Sequence, residues 1–283
     1  MTNTDQAARA AHFRELNLRG RLLLPNAWDA ASARVFEHAG FPAIGTTSAG
    51  IANTRGLPDG EAIGRARMLE EIRTIVEATL VPVTADIEAG YGDAAGDVAQ
   101  TVAAVVDLGA VGVNLEDRVH RRDGARLYCR DEQQSRIAAA RNEADRRGIR
   151  LVVNARTDTF LLAIGRDLDE RLALAVERAE SYLRAGADVV FVPGVTDAPT
   201  VRRLADAIDG PLNVMAMPGA PDAATLFAAG ASRVSLGNSA MLAVLGALDA
   251  IAKEVITTGT WASIERSFYG YGEADALFGQ SRS

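Results

Sequence analysis

The chain has one cysteine, one lysine and fifteen aromatics in 283 residues, and each shortage excludes something. A single cysteine, Cys129, rules out an intrachain disulfide framework. A single lysine, Lys253, leaves any mechanism that needs a Schiff base or a phosphate-binding ammonium with one candidate, and the pattern around it puts it on the solvated face of a late helix. No stretch of roughly 18 apolar residues is present that could span a bilayer. The opening MTNTDQAARAAHFRELNLRG is polar and helical in pattern, without the apolar segment of a secretory signal. Basic residues number 30 against 37 acids, a net charge of −7, which argues against nucleic acid or an anionic membrane surface as partner. A cytoplasmic protein acting on small molecules is the expectation. No Pro/Ser-rich linker divides residues 1–283, so one domain is expected.

What is present is a recurring unit. Apolar, β-branched runs predict strands near Leu22–Leu24, Ala43–Thr46, Val81–Ala85, Val111–Leu115, Leu151–Asn154, Val189–Val192, Leu212–Val214 and Val234–Leu236. Between them lie segments of 3.6-residue periodicity, such as LEEIRTIVEATL at Leu69–Leu80. Several end in a Gly-Ala step (Gly109, Gly186, Gly230), where glycine supplies a left-handed helix cap. The strands read as apolar throughout, as in a parallel sheet buried on both faces. Eight β–α units of this size point to a closed α/β barrel, the (β/α)8 or TIM barrel.

Barrel active sites gather at the C-terminal ends of the strands. The first strand is followed by Asn26, Trp28 and Asp29, the second by Thr46, Thr47 and Ser48. The third delivers Asp86 and Glu88, the fourth Glu116, Asp117 and Arg118, the fifth Arg156, Thr157 and Asp158. Pro193-Gly194, Met215 and Met217, and Gly237-Asn238-Ser239 follow the last three. One strand end with polar residues is ordinary. Three adjacent ends supplying two acids, two acids and an arginine point to a metal-plus-anion site. Asp86 and Glu88, at i and i+2, belong on one side of a strand, where their charges repel unless a cation intervenes. Hard divalent ions suit such oxygens, Mg2+ first and Mn2+ next. Arg156 suits a bidentate carboxylate or phosphonate; an ion pair with Glu116 or Asp158 is its structural alternative. The hydroxyls of Thr47 and Ser48 suit a substrate carboxylate.

LPNAWDAASA, TTSAGIANTRGLPDGE, PVTADIEAGYGD, VGVNLEDR, NARTD and LGNSAM occur here in that order, and the set resembles the isocitrate lyase/phosphoenolpyruvate mutase superfamily over nearly the whole chain. The resemblance implies a (β/α)8 barrel and Mg2+-dependent breakage of a C–C or P–C bond through an enolpyruvate-like intermediate. It also implies a homotetramer, a dimer of dimers, in which a C-terminal helix from about residue 245 to 283 is swapped between subunits. By position, Asp86 and Glu116 match metal-site acids, Arg156 the substrate arginine, Asp59 an aspartate near the substrate, and Thr46, Thr47 and Ser48 the carboxylate-binding loop. Asn238, in LGNSAM, joins the substrate-binding set.

The departures narrow the expectation. Family lyases carry an aspartate two residues before the metal-site one; here that position is Thr84, and Glu88 is left to supply the carboxylate. The Lys-Lys/Arg-Cys-Gly-His motif of the isocitrate and methylisocitrate lyases is missing from VHRRDGARLYC, Val119–Cys129. His120 is the candidate general acid/base there, ahead of Cys129. A lyase of 2-oxo- or 2-hydroxy-di- or tricarboxylates is the leading reading. A phosphonomutase or phosphonopyruvate hydrolase, an oxaloacetate decarboxylase and a non-catalytic organic-acid-binding barrel are the alternatives. Gly90, Gly92 and Gly96 are off by one from the dinucleotide fingerprint and follow two acids that would repel a pyrophosphate. Five of the fifteen aromatics lie in Trp261–Phe278, a segment that should pack on a neighbouring subunit or on its own barrel.

Overall fold

The computed structural model describes residues 3–120 and 126–279. Five residues of the loop Val119–Cys129 and the last four of the C-terminal segment lie outside the described residues. Nine parallel strands form one sheet: β1 Leu22–Leu24, β2 Asn26–Ala27, β3 Ile44–Thr46, β4 Val83–Asp86, β5 Gly112–Glu116, β6 Val152–Arg156, β7 Val189–Phe191, β8 Leu212–Met215 and β9 Arg233–Ser235. Their order, β1-β9-β8-β7-β6-β5-β4-β3-β2, brings the last strand back to the first.

Eight strands were expected and nine are found because Pro25 breaks the first. Proline has no N–H for the ladder. The residues before it pair with β9 and those after it with β3. The Pro25 carbonyl still accepts from Gly45 N at 2.8 Å, so the barrel is almost closed across the break.

Side-chain alternation corrects the expectation that the strands are apolar on both faces. Val83, Ala85, Val113, Leu115, Val153 and Ala155 belong to the apolar layer beneath the outer helices, as do Val190, Val214 and Val234 on the far side. Alternation therefore turns Thr84, Asp86, Asn114, Glu116, Asn154, Arg156, Asn213 and Arg233 inward. Asn154 Nδ2 donates to Asn114 Oδ1 across this interior at 2.6 Å. At the N-terminal end, Phe13 of α1 (Asn3–Leu18) inserts against Gly112. A Cβ there would come within 2.8 Å of the Phe13 ring and 2.6 Å of Thr84 Oγ1, so only glycine fits under the plug.

The outer helices are α2 Ala30–His38, α3 Ser48–Thr54, α4 Arg65–Ala78, α5 Ala95–Asp107, α6 Arg130–Arg146, α7 Leu168–Arg184, α8 Ala198–Ala207 and α9 Ala223–Ala228. Gly109, Gly186 and Gly230 have φ of 94°, 107° and 103°, as the Gly-Ala steps predict. Four aspartates, Asp29, Asp167, Asp197 and Asp222, accept a backbone N–H as helix N-caps, a structural use for acids at strand–helix turns. Cys129 stands at the N-cap of α6, exposed, its amide donating to Glu132.

Beyond the barrel run α10 Ser239–Thr258, α11 Ala262–Arg266 and α12 Tyr271–Phe278. Only Met241 of α10 and Leu277 of α12 are buried. Glu254 holds the α10–α11 corner by accepting from Thr260 Oγ1, Ala262 N and Ser263 N. Those bonds pull its carboxyl down to about 2. Lys253 is exposed and pairs with Asp249 on its own helix, where the sequence put it. Among the described residues, no helix is long and apolar enough to cross a membrane.

Candidate active site

Parallel strands of one barrel must end at one rim, and here the acids meet. Asp86 closes β4, buried, with Oδ2 accepting from Ser48 N at 3.1 Å and Ser48 Oγ at 2.8 Å. Its own amide donates to Thr46 Oγ1 at 2.8 Å. Thr47 Oγ1 caps α3 through Gly50 N. The expected carboxylate loop Thr46–Ser48 is therefore spent largely on fixing Asp86 and starting α3. Asp59 stands exposed at the mouth, Oδ1 3.5 Å from Ser48 Oγ.

Glu116, at the end of β5, lies between two partners. Oε2 is 2.8 Å from Arg156 Nη1, and Oε1 is hydrogen-bonded to His120 Nε2. Arg156 also donates to Asp158 through Nε (2.5 Å) and Nη2 (3.0 Å), so the structural alternative raised for this arginine is realised with both acids at once. Three of its five N–H donors are thus engaged and two remain. Burial pushes the Glu116 carboxyl up against the opposing pull of Arg156. For His120, burial lowers the imidazole, but the hydrogen bond and charge of Glu116 outweigh it and hold it above its ordinary value.

Glu88 does not occupy the position its spacing from Asp86 predicts. The strand stops at Asp86, and Glu88 adopts φ 50°, so the i, i+2 rule for a strand no longer applies. Its side chain turns toward the 59–61 segment, Oε2 accepting from Gly60 N (3.0 Å) and Glu61 N, and Oε1 from Tyr91 OH at 2.7 Å. Glu61 Oε1 in turn accepts from Tyr91 N at 2.6 Å. Glu61 and Tyr91 also have positive φ, 63° and 60°, a conformation that costs non-glycine residues on the order of 1–3 kcal/mol each unless surroundings impose it. Burial raises the Glu88 carboxyl to about 8.

Among the described residues, no group of three or more His, Cys, Asp or Glu side chains is arranged to hold a metal ion. Mg2+ asks for less, since it takes one or two protein carboxylates and keeps several waters. The donors fit in kind: Asp86, Glu88 and Glu116 are carboxylates within electrostatic reach of one another or of Arg156, and burial pushes all three up. A divalent cation is the charge that would let them ionise together. Arg233, fully buried below, has no hydrogen-bond partner among the described residues. Burial brings its guanidinium down to about 9, with Asp86 opposing.

Asn238 Nδ2 donates to Asn53 Oδ1 at 3.2 Å, leaving its buried Oδ1 without a partner. Sequence reasoning missed a support layer. Asp117 accepts from Asp158 N (2.9 Å), Arg178 Nη1 (3.1 Å) and Tyr182 OH (2.7 Å), welding β5 to β6. Arg136, buried on α6, donates to the carbonyls of Ala89, Gly92 and Asp93 and lies over the Tyr128 ring. Asp117 lies in VGVNLEDR but its supporting role was not read from it, and no motif marks Arg136, Arg178 or Tyr182; a basic residue on the apolar stripe of a helix was the available signal for Arg136.

The family model described as phosphoenolpyruvate phosphomutase matches residues 13–256. A Burkholderia cenocepacia J2315 structure assigned as a lyase/mutase is 38% identical, with a TM-score of 0.90 over 98% of each chain. The 2-methylisocitrate lyase of Salmonella typhimurium strain LT2 is 33% identical over 73% of this chain and 68% of its own. A phosphonopyruvate hydrolase structure with oxalate and Mg++ is 26% identical, TM-score 0.82, over 96% of this chain and 95% of that one.

Arg156→Ala strands Glu116 and Asp158 as buried acids without their cation. The expected loss of stability is about 3–5 kcal/mol, read by urea unfolding, with Arg156→Lys losing clearly less. Equal stability of the alanine variant and the parent would contradict the pairing.

Proposed function

Because the chain belongs to the phosphoenolpyruvate phosphomutase family, we propose that it is a Mg2+-dependent carbon–carbon lyase. Its substrate is a small 2-oxo- or 2-hydroxy-di- or tricarboxylate, cleaved through an enolpyruvate-like intermediate. The observation that carries this reading is Arg156, which ends β6 between Glu116 and Asp158 with two donors uncommitted. A methylisocitrate lyase and an oxalate-bound, Mg++-bound hydrolase among the relatives support a small carboxylic acid and that ion.

Asp86, Glu88 and Glu116 would hold the ion, directly or through water. When bound, it supplies Lewis-acid stabilisation of negative charge on substrate oxygens. The two remaining N–H groups of Arg156 grip a substrate carboxylate in a fixed plane. Asn238 Oδ1, buried and unpartnered, accepts from a substrate hydroxyl. The His120–Glu116 pair holds a proton at the rim and passes it to or from the substrate as the bond breaks. Asp59, exposed beside Ser48, covers the mouth.

The C-terminal helices fit a second copy of the chain. Leu242, Val244, Leu248, Ile256, Trp261 and Tyr271 are 51–85% exposed, more apolar surface than one subunit leaves in water without a partner. Of the two occupants expected for this segment, its own barrel takes Leu277, with Arg34 donating to the Leu277 carbonyl, and leaves the residues just named exposed. A homotetramer with α10–α12 at its interfaces is the proposed assembly.

A screen of 2-oxo and 2-hydroxy acids with Mg2+ should release pyruvate, glyoxylate or CO2 from at least one of them. Arg156→Lys should lower kcat/KM by about 100-fold. Phosphate release from phosphonopyruvate alone would move the assignment to P–C chemistry, and CO2 from oxaloacetate alone to a decarboxylase. Metal affinity should depend on pH with a definite sign. A carboxyl raised to about 8 ionises fully only above that pH, and a nearby cation competes with the proton for it. Mn2+ affinity by paramagnetic resonance should therefore rise up to about tenfold per unit toward pH 8 and level above it; a flat profile removes Glu88 from the ion's neighbourhood. Ending the chain after Gly259 should convert the assembly to smaller species by light scattering. An unchanged mass would place the interface elsewhere.

A further inference from the structure

We propose that Glu61 and Tyr91 are positioning residues that, with Glu88 as their hub, form a latch fixing the 59–61 turn over the active-site mouth. The proposal rests on the enzymatic reading above for the importance of Asp59. The latch itself stands on geometry. Among the described residues only four non-glycines have positive φ, and three of them, Glu61, Glu88 and Tyr91, bind one another. Strain gathered at one contact is sustained only where the surroundings over-determine it. Here one buried carboxylate takes two amides of the turn and a tyrosine hydroxyl. A second carboxylate returns the grip from the turn to the Tyr91 amide.

The two sides of the latch differ in support. The Ala89–Asp93 side is held by the buried Arg136 through three carbonyls, and Tyr128 OH bonds Asp93 at 2.6 Å. On the other side, Pro58 and Asp59 are exposed, and their neighbour Gly60 owes its place to Glu88. The latch therefore transmits the position of a rigid rim to an exposed turn. Gly60 also abuts the proposed proton carrier: a Cβ on it would lie 3.0 Å from His120 Nδ1. One set of hydrogen bonds thus sets Asp59 and the wall behind the His120 ring together.

Tyr91→Phe removes the hydroxyl bond and keeps the ring, and Glu61→Gln weakens the return grip. Neither residue is a proposed metal ligand. Amide hydrogen exchange in residues 57–64 should quicken about tenfold or more in both variants while β4–β6 stay as protected as in the parent. On a substrate from the screen, kcat should fall about 10- to 100-fold with KM nearly constant, as misplacement of a positioned group predicts. Unchanged exchange at 57–64 overturns the latch. Exchange that rises equally in β4–β6 also overturns it, since the residues would then only brace the fold. Exchange needs no substrate, so it reads the latch even if the screen finds no turnover and the enzymatic reading fails.

Discussion

One guanidinium between two buried carboxylates is the interaction on which this rim depends. Arg156, at the end of β6, bonds Glu116 at the end of the neighbouring β5 and Asp158 two residues on in its own chain. Both acids are buried, and a buried charge is costly without a partner. The Coulombic gain is large only because the site is dry, and the same dryness makes every uncompensated acid costly. Asp86, Glu88 and Glu116 all carry that cost, since burial pushes each carboxyl upward. A single arginine cannot balance three or four acids. The rim is therefore electrostatically incomplete by itself, and a cation bound there would complete it.

The barrel interior continues the theme below the rim. Asn114, Asn154, Asn213 and Thr84 line it, with Arg233 at the far side and Phe13 sealing the base. An interior of branched apolar layers would hold the barrel together with less penalty. Arg233, with no hydrogen-bonded partner among the described residues and a guanidinium lowered by burial, keeps its charge at neutral pH and counts on the positive side of the ledger facing Asp86. It offsets part of the acid excess without occupying the rim where a substrate must sit.

How much of this was legible follows from what each signal measures. Hydrophobic periodicity reports burial, so it located eight of the nine strands to within a few residues, missing the two-residue β2, and several of the helices between them. It could not report Pro25 as a break, because the ladder lost on one side is regained through a carbonyl on the other. Nor could it report which face of a strand looks inward: Thr84, Asn154 and Asn213 sit in runs that score as apolar, yet alternate with them. Asp86, Glu116 and Arg156 were placed at one rim because strand ends of a barrel must converge, and His120 by its position in the loop after β5. The structure sets His120 and Arg156 against Glu116, and Asp86 within electrostatic reach of Arg156. Glu88 was found by the same rule and displaced by a conformation that the rule does not see. The Gly-Tyr-Gly that follows it was the available hint of a left-handed turn. Glu61 closes the GLPDGE motif, but nothing in that motif points to its partners Glu88 and Tyr91, 27 and 30 residues away in the chain.

That displacement says something general about rims built from loops. A strand can aim a side chain with its own ladder, as β4 aims Asp86, because its backbone is fixed on both sides by neighbours. A turn has no such ladder, and its placement must come from side chains that satisfy its amides. Glu88 does this for the 59–61 turn, Arg136 for the 89–93 turn, and Asp117 for the start of the turn after β6. In each case a charged group is sequestered on backbone atoms instead of facing solvent. Charge-assisted hydrogen bonds to backbone are stronger than neutral ones and directional, so each gives the turn a single position. The acids and arginines of this rim thus divide into those that face the mouth and those that hold the mouth's shape, and the sequence motif alone does not separate them.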